Sequence, residues 1–371
     1  VRENKYNKKW VLYIYTYNIY SRYQMDLFSF IIFIVVLFLY LHITSEWKQS
    51  QDLEIYEMDF ESNGQLQEVC NVKQPVLFEF KSISPQFFEK MRLDYFLEKN
   101  SVQDVNVKDI DDYMKLSSVD SILLPFQTAH SLLKSDPKAH LILEDNADFI
   151  EECSHITDYR NNLDMHLKPP MCIRTKYDFC MGSEKSYSPL KYHNHSRHYC
   201  IVSQGKIHVK MTPWKSSKYV NATHDYENYE FFSNMNPWKN QSEKIKFLEF
   251  DVHEGDILYV PPYWWYSYQY TTYDTIVCTA TYNTPMNMIA NAKHWALYFF
   301  QQQNIQQKTL KTLDTNDTNN VILSENSHLS EEPTDNHKDS DNNIMIEPVV
   351  EDITTSLKVL HAVPTDLNDC S

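Results

Sequence analysis

The side chains best suited to chemistry in this 371-residue chain fall in two short stretches. In the first, Lys191-Tyr192-His193-Asn194-His195-Ser196-Arg197-His198 sets imidazoles among cations, with Lys206 a little further on. The second opens at Gly255-Asp256 and runs through Pro261-Pro262 to Trp264-Trp265-Tyr266. An imidazole lone pair can ligate a metal, ammonium and guanidinium groups attract anions, and aromatic faces stack on sugars. Other chemistries lack their residues. There is no nucleophile elbow, no phosphate loop and no paired-carboxylate arrangement, and 4 glycines are too few for a Gly-rich nucleotide loop. The 7 cysteines form no CxxC pair, so zinc-knuckle and thioredoxin-like motifs are unsupported, and buried free thiols are favoured over a disulfide.

These stretches need a scaffold, and the hydrophobic pattern supplies a mostly β one. Alternation predicts strands over 199–203 and 206–211, joined as a hairpin about Gln204-Gly205, and further strands over 244–252, 257–260 and 275–282. Pro75-Val76-Leu77-Phe78 reads as an earlier buried strand. Three- and four-residue spacing predicts amphipathic helices over 85–99 and 119–134. It returns from Met286 to Gln303, where Ile289, Ala292, Ala296 and Phe299 or Phe300 share a side. That helix is expected to lid the core, with homodimer formation through it as the second reading. Residues 212–241 show no clear periodicity.

Ahead of the domain, Leu27 to Ile43 is an uncharged apolar run long enough for a thin bilayer. The expected organisation is a basic segment over 1–24 (untranslated if Met25 is the start), a single-pass transmembrane helix over 25–45, a stalk over 46–64, the folded domain over 65–303 and a disordered acidic tail over 304–371. Arg2, Lys5, Lys8, Lys9 and Arg22 precede the run, while Glu46, Asp52, Glu54, Glu57, Asp59 and Glu61 outnumber Lys48 after it. By the positive-inside rule the domain is luminal or extracytosolic. Sequons at Asn194, Asn221 and Asn240 would then be open to glycosylation. A net charge of -16, over half of it beyond residue 300, argues against a nucleic-acid partner.

The stretch from Gly255 to Tyr266 resembles the "GD-x-L-(Y/F)-(I/V)-P-P-x-W-W-H" segment of the JmjC-like cupins, the Fe(II)/2-oxoglutarate oxygenase branch of the cupin superfamily. Ser188-Pro189-Leu190-Lys191-Tyr192-His193 is similar to that family's "T-P-L-H-x-D". The resemblance covers about residues 55–300 and implies a double-stranded β-helix barrel with flanking helices. It also implies a facial triad of two His and one carboxylate, with positions left open for 2-oxoglutarate and oxygen. Here those positions carry Lys191, His193 and Tyr266. A protonated lysine has no lone pair and a neutral phenol is a poor Fe(II) ligand, so ordinary iron catalysis is not expected. The expected role is a non-catalytic binding or scaffold domain without cofactor, its pocket formed by Lys191, His193, Arg197, Lys206, Trp264 and Tyr266 and suited to a small anion or a sugar. The alternative is an Fe(II)/2-oxoglutarate hydroxylase with unusual ligands, in which His193 and His195 form an H-x-H pair.

Overall fold

A computed structural model describes residues 27–153, 157–239 and 244–312. The basic N-terminal segment and the tail beyond residue 312 lie outside the described residues.

The first element, α1 (Leu27–Trp47), is apolar over most of its length and unburied over its most apolar stretch. Its last carbonyls, Ser45 O and Glu46 O, accept from the buried Lys73 Nζ at 2.9 and 2.7 Å, which satisfies groups that a helix end leaves open. Residues 46–64 do not form a free stalk. Lys215 Nζ donates to Gln51 O at 2.8 Å, β1 (Tyr56–Glu57) pairs with β2 (Val76–Glu79), and between them α2 (Asn63–Cys70), N-capped by Ser62, buries Leu66 and Cys70.

Among the described residues the strands form two sheets. The larger adds β3 (Asp104–Asp109), β4 (Ile122–Pro125), β5 (Leu141–Leu143), β6 (Arg174–Gly182), β8 (Arg197–Gln204), β13 (Asp256–Tyr259) and β15 (Ile276–Asn283), in the order β1-β2-β13-β8-β15-β6-β5-β3-β4. The smaller holds β7 (Leu190–Tyr192), β9 (Lys206–Thr212), β10 (Ala222–Asp225), β11 (Glu230–Ser233), β12 (Leu248–His253) and β14 (Trp265–Tyr270), in the order β10-β11-β7-β14-β9-β12. The two-residue period of a strand divides the core between them. In the larger sheet Phe179, Tyr199, Ile201 and Tyr259 face Phe87, Phe96, Phe126 and Phe149 of the flanking helices. Their neighbours Cys180, Cys200, Val202 and Leu258 face the smaller sheet, meeting Val209, Met211, Tyr266 and Tyr268. Each fully buried apolar side chain contributes about 1.5–3 kcal/mol. This is the double-stranded barrel expected from the sequence.

Several local expectations are corrected. The alternation around Gly205 is not a hairpin, because β8 pairs with β13 and β15 while β9 pairs with β12 and β14. Gly205, at φ +80°, therefore turns the chain from one sheet to the other, and strands buried from both sides look alike in either arrangement. The helix over 85–99 is two short ones, α3 (Pro85–Lys90) and α4 (Leu93–Lys99). The first part of 119–134 is β4, and only from Phe126 does α6 (Phe126–Ser135) begin, because Pro125 disfavours helix in the residue before it. Between these come α5 (Ile110–Tyr113), then α7 (Ala147–Glu152) and α8 (Thr157–Leu167). The aperiodic insertion holds a 3-10 turn (Trp214–Tyr219) and the hairpin β10–β11. The last helix breaks at Asn291 into α9 (Pro285–Ala290) and α10 (Ala292–Thr312), which runs into the segment expected to be disordered. Its apolar side does not cover the core: Ile289, Phe299 and Phe300 are exposed. The six described cysteines are free, and Asn194 of the first sequon is buried.

Gly182 of β6 has no room for a side chain, since a Cβ there would sit 2.2 Å from the ring of the buried Tyr270. Gly182→Ala is expected to cost about 1–3 kcal/mol by overpacking, read as a lowered denaturant midpoint of the full chain.

Candidate functional site

Between the sheets lies a cavity of about 230 Å³. The strand β7 is held between β11 and β14, with Lys191 opposite Phe232 on one side and Tyr266 on the other. Leu190 and Tyr192 pack outward with Trp265 and Phe231, so the residue between them, Lys191, faces inward. The same alternation turns Tyr266 inward and sends Trp265 outward, where its Nε1 donates to Ser217 Oγ at 2.6 Å.

Inside the barrel Lys191 Nζ meets Glu144 Oε2 at 2.8 Å. Burial alone would lower the lysine pKa, but the Glu144 carboxylate and Tyr266 outweigh it and hold the ammonium well above its ordinary value. Glu144 follows the short β5, and its second oxygen, Oε1, is buried without a hydrogen-bond partner among the described residues. The next residue, Asp145, takes a left-handed φ of 62°. The Asp178 carboxylate holds that turn by accepting from Asp145 N at 3.1 Å and Asn146 N at 2.6 Å.

A second charge cluster adjoins this pair. The buried Lys108 Nζ donates to Asp145 Oδ2 at 2.5 Å and to Glu230 Oε1 at 3.0 Å, and Lys176 Nζ donates to Asp145 Oδ1 at 3.1 Å. Burial opposes the Asp145 charge, yet Lys108 and Lys176 keep its pKa well below the carboxylate range. Burial dominates at Glu230, whose pKa is pushed up to about 7 against the pull of Lys108. At the mouth, the rings of Tyr229 and Trp295 stack at 4.4 Å and Arg174 sits 4.6 Å over Trp295.

Of the residues singled out from the sequence, Lys191, His193 and Tyr266 line the cavity, as does His195. Three do not. Arg197 is buried on the other side of β8, where Nε donates to Gln67 Oε1 at 2.9 Å and Nη2 to Asn71 Oδ1 at 2.6 Å. Lys206 pairs with Asp251 at 3.0 Å on the partly exposed β9–β12 edge. Trp264 is wholly buried in the barrel core. Glu144, Asp145, Lys108 and Glu230 carry no local mark in the sequence. The one available signal was Lys191 itself, a cation in an inward strand position that demands a buried counter-charge.

The donor set does not fit a ferrous ion. Lys191 is charged and already paired. His193 has no spare lone pair, since Nδ1 accepts from His195 N at 3.2 Å and Nε2 donates to Val260 O at 3.1 Å. Burial pushes the Tyr266 phenol up, and its hydroxyl is spent on His198 Nε2 at 3.4 Å. The H-x-H alternative places the His193 and His195 rings parallel, at 15° and 5.5 Å, with His195 Nδ1 on Asn283 Oδ1. Among the described residues no three His, Cys, Asp or Glu side chains converge as a metal site.

Two facing sheets with a polar cavity between them define a cupin barrel. A family model described as a cupin-like domain matches residues 61–292, and the chain belongs to that family. None of the curated proteins compared with the chain matches it.

Two outcomes follow from the electrostatics. Lys191→Met strands a buried carboxylate and is expected to cost about 3–5 kcal/mol in denaturant unfolding, most of which the double variant Lys191→Met with Glu144→Leu restores. Burial keeps His193 and His198 neutral well below the ordinary histidine range of 6.5 and lowers His195 to about 4. Through these three imidazoles the unfolded chain binds more protons than the folded one below about pH 6.5, and Glu230, protonated earlier in the folded chain, offsets only part of that. Stability is expected to fall as pH drops from 6.5 toward 4, with a shallower slope in His198→Gln.

Proposed function

We propose that this is a single-pass membrane protein whose cupin-like domain binds a small polar ligand, an anion or a sugar, without iron catalysis. The observation that carries this reading is the ion pair between Lys191 and Glu144 at 2.8 Å, a permanent internal cation at the position that the resemblance aligns with a metal ligand of the oxygenase branch. Around it the cavity offers groups suited to such a ligand. Arg174 at the mouth makes no ion pair among the described residues, and the stacked Tyr229 and Trp295 provide an aromatic wall. Membrane anchoring is supported by the 21 residues of α1 and their exposure. The basic residues before α1 and the acidic ones after it favour a domain on the extracytosolic side.

The test uses the full chain in detergent, screened by thermal shift against monosaccharides, inorganic phosphate and small carboxylates, with and without ferrous iron. The expected result is an iron-independent rise in Tm with one ligand class, lost in the Lys191→Met, Glu144→Leu double variant. Stoichiometric iron together with succinate release from 2-oxoglutarate would reverse the reading.

A further inference from the structure

The helix α10 is built inside out. Toward the domain it turns hydrogen-bonding groups: His294 Nδ1 meets the Tyr226 hydroxyl at 3.0 Å, Gln302 Nε2 donates to Glu227 O at 2.7 Å, and Trp295 stacks on Tyr229. Toward the outside it turns Ala292, Ala296, Leu297, Phe299 and Phe300, with Lys293 among them. Phe299 and Phe300 are 58% and 61% exposed. A soluble helix carries the opposite pattern, so this outward face lacks the partner its composition calls for.

The end of α1 indicates what that partner is. Trp47 Nε1 donates to Ala290 O at 3.2 Å, at the elbow where α10 begins. Asn287 Nδ2 reaches both Glu46 Oε2 at 3.4 Å and Asn194 O at 2.9 Å, so the last turn of α1 and a wall residue of the cavity share one bridging side chain. Four residues past α1, Gln51 is bound by Lys215 of the 3-10 turn, which also exposes Lys218 and Tyr219. The surface around the exit of α1 thus displays Trp47, Tyr219, Ile289 and lysines, a mixture that favours the headgroup layer of a bilayer.

We infer that α10 lies with its outward face in the surface of the same membrane that α1 crosses, which sets the cavity mouth, walled by Trp295 and Tyr298 on the inner side of that helix, at the bilayer surface. This rests on the proposed anchoring by α1. The occupant is a lipid surface, and a ligand would enter the cavity from headgroup depth rather than from bulk water.

The experiment places p-benzoylphenylalanine, singly, at Phe33 in α1, at Phe300 in α10 and at Val102, a loop residue 84% exposed. The full chain is reconstituted in phosphatidylcholine and phosphatidylserine nanodiscs, irradiated and analysed by mass spectrometry. The expected result is lipid adducts at Phe33 and Phe300 and none at Val102. Adducts at Phe33 without any at Phe300 overturn the inference and leave the anchor standing. The absence of adducts at Phe33 overturns the anchor and the inference together. A protein–protein crosslink from Phe300 in place of a lipid adduct assigns the face to a second copy and also overturns it. Phe300 is 61% exposed and belongs to no core cluster among the described residues, so its replacement is not expected to unfold the domain.

Discussion

The barrel closes around one ion pair. A lone ammonium or carboxylate between two apolar sheets would carry a desolvation penalty of several kcal/mol, and Lys191 and Glu144 are tolerable there only because each neutralises the other. Much of the surrounding geometry serves that contact. The backbone of Asp145 turns left-handed so that Glu144 lies inside, Asp178 holds the turn through two backbone N–H groups, and the register of β7 against β14 brings Tyr266 level with the lysine. The neighbouring cluster of Lys108, Asp145, Lys176 and Glu230 extends the compensation to the cavity wall. The result is a barrel whose central charges are paired from within the chain, with one carboxylate oxygen, Glu144 Oε1, left without a hydrogen-bond partner among the described residues.

Because the cavity lies between the sheets and its lip is made by later elements, the domain couples parts that are far apart in sequence. Asn194, Asn287 and Asn291 join the start of β8 to the α9–α10 elbow, and Glu46 joins that elbow to α1. Lys73 ties the same helix end to the turn after α2. The apolar helix is thus continuous with the cupin-like domain by hydrogen bonds rather than separated from it by a flexible linker.

The barrel was legible in the sequence because its signals are local. The Gly-Asp turn, the Pro pair and the two Trp rings fix one strand end, and two-residue alternation marks β2, β9, β12, β13 and β15. The positions Lys191, His193 and Tyr266 were legible through the resemblance of their two segments to the JmjC-like cupin motifs. Partnership across long separations was not. Glu144 lies 47 residues before Lys191, and nothing in either neighbourhood names the other. Arg197 illustrates the converse error: it is near the site in sequence, but the alternation of β8 sends it to α2. The outward direction of the apolar face of α10 is not legible in the sequence, because periodicity locates an apolar face without saying what it meets. At Gly205 a corner between sheets and a turn within one sheet leave the same alternating pattern, so the sequence alone points to a hairpin.

The first sequon has an outcome of its own. Asn194 donates to the Tyr229 hydroxyl, and its carbonyl accepts from Asn287 and Asn291, so its amide is enclosed once β8 and the elbow are in place. A chain passing through a glycosylating compartment would face a race at this residue between oligosaccharide transfer and closure. Chains that acquired the glycan first would be unable to complete the domain, so the speed of folding, rather than the sequon itself, would set the yield of usable protein.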